Sequence, residues 1–202
     1  KYDQLSFPEA VERVAKRYGI RIELSDGARE PGESGERESL YRINERAAAN
    51  YHQILLNQPA GRKALDYLKS RKVNEEIAQR FMVGYAPQTG SGLLDLLRRE
   101  KLSVKDAMRL GLIGQQSGQQ FHEKFFARLM FPIINAGGKI VGFGGRVLDQ
   151  GLPKYINSIE TPVFRKGSTL YGLYQAKEGI RRVDRVVVVE GYLDVMALHQ
   201  FG

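Results

Sequence analysis

The 202-residue chain has no cysteine. That excludes a disulfide framework and a cysteine-ligated zinc site within these residues, and it suits a reducing compartment. Histidine is nearly as scarce. His52, His122 and His199 are too scattered to suggest a metal cluster, and each reads as a surface or packing residue. No apolar run approaches the roughly 18 to 20 residues that span a bilayer, and no leader-peptide pattern opens the chain. The expectation is a soluble, cytoplasmic protein with no membrane partner.

What is abundant is positive charge, and it is unevenly placed. The net charge is +8. From Phe121 to Arg185 there are 11 Lys and Arg against 5 Asp and Glu, whereas the residues after Arg185 carry only two charged side chains, Glu190 and Asp194. A basic stretch followed by an acidic tip suits a polyanion held beside a metal-binding centre; the same excess also suits a merely solvated face.

The acidic tip ends the run Arg185-Val-Val-Val-Val-Glu-Gly-Tyr-Leu-Asp194. Four β-branched residues, Val186 to Val189, predict a strand covered on both faces, and Gly191 predicts a tight turn into a helix over Tyr192 to Gln200. Glu190 would then stand at the carboxyl end of a strand, with Asp194 projecting from the first helical turn toward the same side. Two hard oxygen donors so placed suit Mg²⁺; they equally suit a helix start that favours negative charge.

Earlier in the chain, helical spacing of apolar residues predicts helices over 7–18, 39–57, 61–70, 74–80, 92–100 and 103–110. Residues 25–38, rich in Gly, Ser, Glu and Arg with Pro31, read as a flexible linker. After Gly111 the texture changes. Leu129–Ile134 and Lys139–Phe143 flank Asn135-Ala-Gly-Gly138, a hairpin signal, followed by Gly142-Phe-Gly-Gly-Arg146 and a loop-rich 151–167. The glycines do not form a dinucleotide fingerprint, because the G-x-G-x-x-G spacing and a following helix are missing. Between Lys154 and Lys166, cations alternate with Tyr155, Asn157 and Phe164. That suits either a nucleotide or single-strand groove, in which Tyr155 stacks and Asn157 bonds a base edge, or a solvated hairpin with a buried tyrosine.

Six segments in order resemble the signature of bacterial DnaG-type DNA primases: Phe131-Pro-Ile133, Gly142-Phe-Gly-Gly-Arg146, Pro153-Lys-Tyr-Ile-Asn-Ser158, Phe164-Arg-Lys-Gly167, Leu170-Tyr-Gly172 and Val189-Glu-Gly-Tyr-Leu-Asp194. Tyr67-Leu-Lys-Ser-Arg71 adds a weaker match. The resemblance implies an α/β (α+β) chain: residues 1–24 the tail of a zinc-ribbon region, 25–38 a linker, 39–184 the basic N-terminal subdomain of the primase core, and 185–202 the start of a TOPRIM fold. It implies nucleotidyl transfer that makes RNA primers on single-stranded DNA from ribonucleoside triphosphates. Glu190 and Asp194 would hold Mg²⁺ or Mn²⁺, and Lys154 and Lys166 would act with them in catalysis. Lys154, Tyr155, Asn157 and Lys166 would meet the nucleotide. Arg71, Lys124, Arg128 and Arg146 would meet nucleic acid. Zinc is expected only in a preceding ribbon, and the replicative helicase only as partner of a following domain. The family's later Asp-x-Asp pair is not among these residues, so the chain itself is expected to bind single strands or nucleotides without catalysis. Another TOPRIM phosphoryl-transfer enzyme and a non-catalytic binding module are the alternatives.

Overall fold

A computed structural model describes residues 33–115, 120–149 and 151–202. The expected helix over 7–18 and the expected zinc-ribbon tail over 1–24 lie outside the described residues. Residues 35–202 make up one compact unit.

Helix α1, Glu33–Asn57, runs two turns further toward the N-terminus than its apolar stripe predicts and begins inside the 25–38 segment read as a linker. Side-chain pairs join that extension to the rest of the unit: Arg109 to Glu36, and Lys139 to Glu38. Next come α2, Arg62–Ser70, and α3, Glu75–Arg80, whose first turn is capped by Asn74 Oδ1 accepting from the Ile77 amide at 2.8 Å. Strand β1, Gly84–Ala86, leads to α4, Leu93–Arg99, and α5, Val104–Arg109. Ser103 caps α5. The start of α4 has no local cap. Instead Glu123, about thirty residues on, accepts from the Ser91 and Leu93 amides at 2.7 and 2.8 Å.

Strands β2, Ile113–Gln115, and β3, Phe121–Glu123, form a small two-stranded sheet. The main sheet contains β4, Arg128–Ile134, β5, Ile140–Val147, and β6, Tyr155–Asn157, in the order β1-β4-β5-β6, antiparallel throughout. The predicted β4–β5 hairpin forms: Asn135 Oδ1 accepts from the amides of Gly137 and Lys139, both at 3.0 Å, and fixes the turn.

Both faces of this sheet are buried. On one, Met130 and Phe143 pack with Leu40, Ile43, Ala47 and Tyr51 of α1 and with Leu93 and Leu97 of α4. On the other, Leu129 and Phe131 pack with Ile54, Leu68, Ile77, Phe81 and Met196. A third, smaller cluster joins Val141 of β5 to Ile133 of β4 and Phe164.

One expectation fails, and one element was not foreseen. Residues 185–189 pair with no strand among the described residues, and Val186, Val187 and Val188 are 62%, 71% and 73% exposed rather than buried on both faces. A β-branched run becomes a strand only where a neighbour offers a hydrogen-bonding edge, and none of β1–β6 does so here. Helix α6, Leu173–Val183, was not expected; none of its residues is fully buried. The last helix, α7, Tyr192–Phe201, does follow Gly191 as predicted. Among the described residues no helix is long and apolar enough to cross a membrane.

Candidate nucleic-acid interface

The register of the main sheet gathers the basic and aromatic residues. Arg146 of β5 lies opposite Leu129 on β4 and Tyr155 on β6, and Gly144 lies opposite Phe131 and Asn157. Alternation places Arg146, Tyr155, Gly144 and Asn157 on one face.

On that face cations and rings alternate. The Arg146 guanidinium lies 4.5 Å from the Tyr67 ring centre and 5.7 Å from that of Tyr155. Arg71 lies 5.3 Å from the same Tyr67 ring, and its Nε donates to the Tyr67 hydroxyl at 2.8 Å. Residues 67 and 71 are neighbours at helical spacing across the end of α2. Tyr155 in turn is 6.0 Å from Tyr192, whose hydroxyl donates to Asn157 Oδ1 at 2.7 Å. Arg146 is 7% exposed. Among the described residues, no carboxylate forms an ion pair with Arg71 or Arg146.

Tyr192 is the link to the acidic turn. Its ring stacks on Phe131 at 4.9 Å and 11° and meets Tyr171 edge-on at 4.7 Å. A side chain at Gly144 would fill this seat: a Cβ there would stand 2.5 Å from the Tyr192 ring and hydroxyl. Burial, with Tyr155 close by, pushes the Tyr192 phenol up to about 12. Helix α7 is held at its far end too. Gln200 accepts from the Asn74 amide at 2.9 Å and donates to the Lys72 carbonyl at 2.8 Å, and His199 meets Phe81 edge-on at 5.1 Å. Burial and the nearby Arg80 hold the His199 imidazole below its ordinary value. Gly172, with φ +80°, lets Val195 approach the chain before α6, where a side chain would collide with it.

Glu190 and Asp194 thus stand at the start of a helix docked on the aromatic cluster. Both are exposed, and the Asp194 carboxylate folds back to within 2.7 Å of where a Gly191 Cβ would be. Among the described residues no group of three His, Cys, Asp or Glu side chains could hold a metal ion. Each is an exposed hard oxygen donor of the kind Mg²⁺ takes, one or two per ion with several waters kept.

The remaining sequence-derived residues are distributed around this centre. Lys154 is exposed, beside the carbonyl with which it accepts from the Val147 amide at 3.1 Å, and the adjoining loop is tied to α2 by Lys63 and Asp149 at 2.7 Å. Lys166 is exposed in a short 3₁₀ turn whose first amide donates to Glu160 at 2.9 Å; no contact among the described residues joins it to the aromatic cluster. Lys124 is a bend residue just after β3 of the small sheet, its amide donating to the Leu112 carbonyl at 2.9 Å. Arg128 is 6% exposed and donates to the carbonyls of Gly145 and Pro153 at 3.2 and 3.0 Å, so it braces the Lys154 loop from within. Burial lowers the proton affinity of its guanidinium. Tyr67 and Tyr192 were missed as site residues, although the Tyr67–Arg71 spacing and the position of Tyr192 between the two acids were readable.

Residues 51–177 match the model of the DNA primase catalytic core, N-terminal domain. The chain belongs to the DNA primase family. This primase chain is 42% identical over 204 residues to a DNA primase of Pseudomonas putida, covering 100% of the chain and 31% of that relative, and 36% identical to the DNA primase of Escherichia coli, covering 35% of it. The chain therefore spans about a third of the length of these curated relatives. Among solved structures, a DNA primase domain from Pseudomonas aeruginosa is 45% identical at a TM-score of 0.75, matching 81% of this chain and 51% of its own. A DnaG primase catalytic domain bound to single-stranded DNA is 36% identical at 0.74, matching 83% and 54%. These similarities agree with the α+β architecture described above.

Proposed function

We propose that the face carrying Arg71, Tyr67, Arg146, Tyr155 and Asn157, with Lys154 at its rim, is the groove through which this primase chain holds single-stranded nucleic acid and nucleotides. The observation that carries the reading is the alternation itself: guanidinium cations without carboxylate partners, seated on tyrosine rings, offer phosphate neutralisation and base stacking at one place. A related catalytic domain captured with single-stranded DNA supports it.

In the longer protein, the proposed activity is synthesis of RNA primers on single-stranded DNA from ribonucleoside triphosphates. A replicative helicase would be the partner of a following domain, and zinc would belong to a preceding ribbon. Glu190 and Asp194 would hold Mg²⁺ or Mn²⁺, which when bound stabilises charge on the transferring phosphoryl group. Within the chain, the roles divide by position. Lys154 neutralises triphosphate charge at the rim, Tyr155 and Asn157 orient the nucleotide, and the Tyr192–Asn157 hydrogen bond ties that orientation to the acidic turn. Lys166 and Lys124 extend the positive surface outward, while Arg128 acts by holding the Lys154 loop. With two carboxylates on the turn, these 202 residues bind without polymerising.

Binding of an oligonucleotide as a function of salt tests the groove. Lys154→Ala removes one exposed cation, and the log–log slope of affinity against salt is expected to fall by about 0.7, the value for one phosphate contact on a single strand. Unchanged affinity and slope would place the groove elsewhere.

A further inference from the structure

Arg71 and Arg146 come from different elements, α2's end and β5, yet both guanidiniums rest on one ring, that of Tyr67, at 5.3 and 4.5 Å. Two like-charged guanidiniums that share one ring repel unless an anion or the negative face of an aromatic ring lies between or beside them. Here the ring is present, and no carboxylate pairs with either arginine among the described residues. The Arg71 side chain is additionally oriented by its Nε bond to the Tyr67 hydroxyl at 2.8 Å, which leaves the two terminal nitrogens of that guanidinium for another acceptor. Arg146 uses one terminal nitrogen, donating to the Val147 carbonyl at 3.0 Å, and its other donors are likewise left over.

Resting on the groove reading above, we infer that Tyr67 is a positioning residue that sets Arg71 and Arg146 as two prongs of one clamp for a single phosphate group of the bound nucleic acid. The hydroxyl fixes the direction of Arg71, and the ring fixes the separation of the two prongs. Planar guanidinium forks suit a tetrahedral phosphate, and an arginine whose orientation is already set loses less freedom on binding it. The ring itself touches no phosphate; its work is done through the two arginines.

The test is the salt slope of single-strand binding by the 202-residue chain, with thermal melting run alongside. The variants are Arg71→Ala, Arg146→Met, their double, Tyr67→Phe and Tyr67→Leu. Arg146→Met keeps most of the buried volume while removing the charge, so it separates loss of a cation from loss of packing. If one phosphate is shared, each arginine variant lowers the slope by about 0.7 and the double lowers it by no more than that. Tyr67→Leu then gives the same fall at a melting temperature near that of the parent chain, and Tyr67→Phe weakens binding by a smaller factor because only the hydroxyl contact is lost. A double variant whose slope falls by about 1.4 would show two separate phosphates and overturn the shared clamp. Normal slope for Tyr67→Leu beside lowered slopes for the arginine variants would overturn the positioning role. No change in any arginine variant would overturn the groove reading as well, and with it this inference.

Discussion

In a full-length primase carrying this sequence, Glu190→Gln reduces primer synthesis about a hundredfold or more while single-strand affinity stays within about twofold. The substitution keeps size and shape and removes only the charge proposed to hold a divalent cation. Glu190 is exposed and makes no hydrogen bond among the described residues, so little folding energy is at stake. Removing a negative charge beside a basic groove cannot weaken a polyanion's attraction, and so any loss of synthesis is chemical rather than one of binding. Run-off synthesis on a single-stranded template, measured beside anisotropy of a labelled oligonucleotide, separates the two. Synthesis at the parental rate would rule out the metal-holding role of Glu190.

Gly144→Val is the second large effect, and it acts on structure. Valine suits a strand, so the backbone of β5 tolerates it, but its Cβ would lie 2.5 Å from the Tyr192 ring. That ring cannot yield easily. Phe131 stacks beneath it, Tyr171 meets its edge and Asn157 holds its hydroxyl. Overpacking of this kind costs about 1–3 kcal/mol, here by lifting the start of α7 from the sheet. Two readouts identify the cause. The melting temperature falls, and one tyrosine that titrates near 12 in the parent chain moves toward its ordinary value of about 10. In the double variant with Tyr192→Ala, the valine is expected to add almost no further destabilisation, because the ring it collides with is gone. Additive losses would mean that Tyr192 is not seated on Gly144.

These two residues also show what a sequence discloses and what it withholds. Helices α1, α3 and α5 were legible because Leu40, Ile43, Ala47, Tyr51, Ile54 and Leu55 repeat on one stripe of α1 and because Asn74 and Ser103 stand at helix starts, where they cap. The hairpin was legible in Asn135-Ala-Gly-Gly138. The reason for Gly144 was not, since it lies in an aromatic ring nearly fifty residues away. The same holds for Glu123, whose capping of α4 depends on a contact that no local pattern records.

Strand formation by Val186–Val189 failed for a related reason: composition can favour a strand but cannot supply its neighbour. Of the site, Tyr155 and Asn157 were foreseeable from the alternation that follows Lys154, whereas Arg146 was expected only through the family resemblance. Arg128 looked identical to Arg146 as a basic residue in an apolar run, and only its bonds to the Gly145 and Pro153 carbonyls mark it as a brace. Tyr67 stood only at the start of the weaker Tyr67–Arg71 match and carried no role of its own, because a tyrosine in a helix usually belongs to the core; its value here comes from the two cations that converge on it.

The central claim is that nucleic acid lies along the Tyr67, Arg146 and Tyr155 face. Photocrosslinking a single-stranded oligonucleotide that contains thiothymidine, followed by peptide mapping, locates the strand directly. The predicted crosslinks fall in the peptides bearing Tyr67 to Arg71 and Tyr155 to Asn157. Crosslinks confined to Phe121–Phe126 of the smaller sheet, or to the basic helix α6, would contradict it.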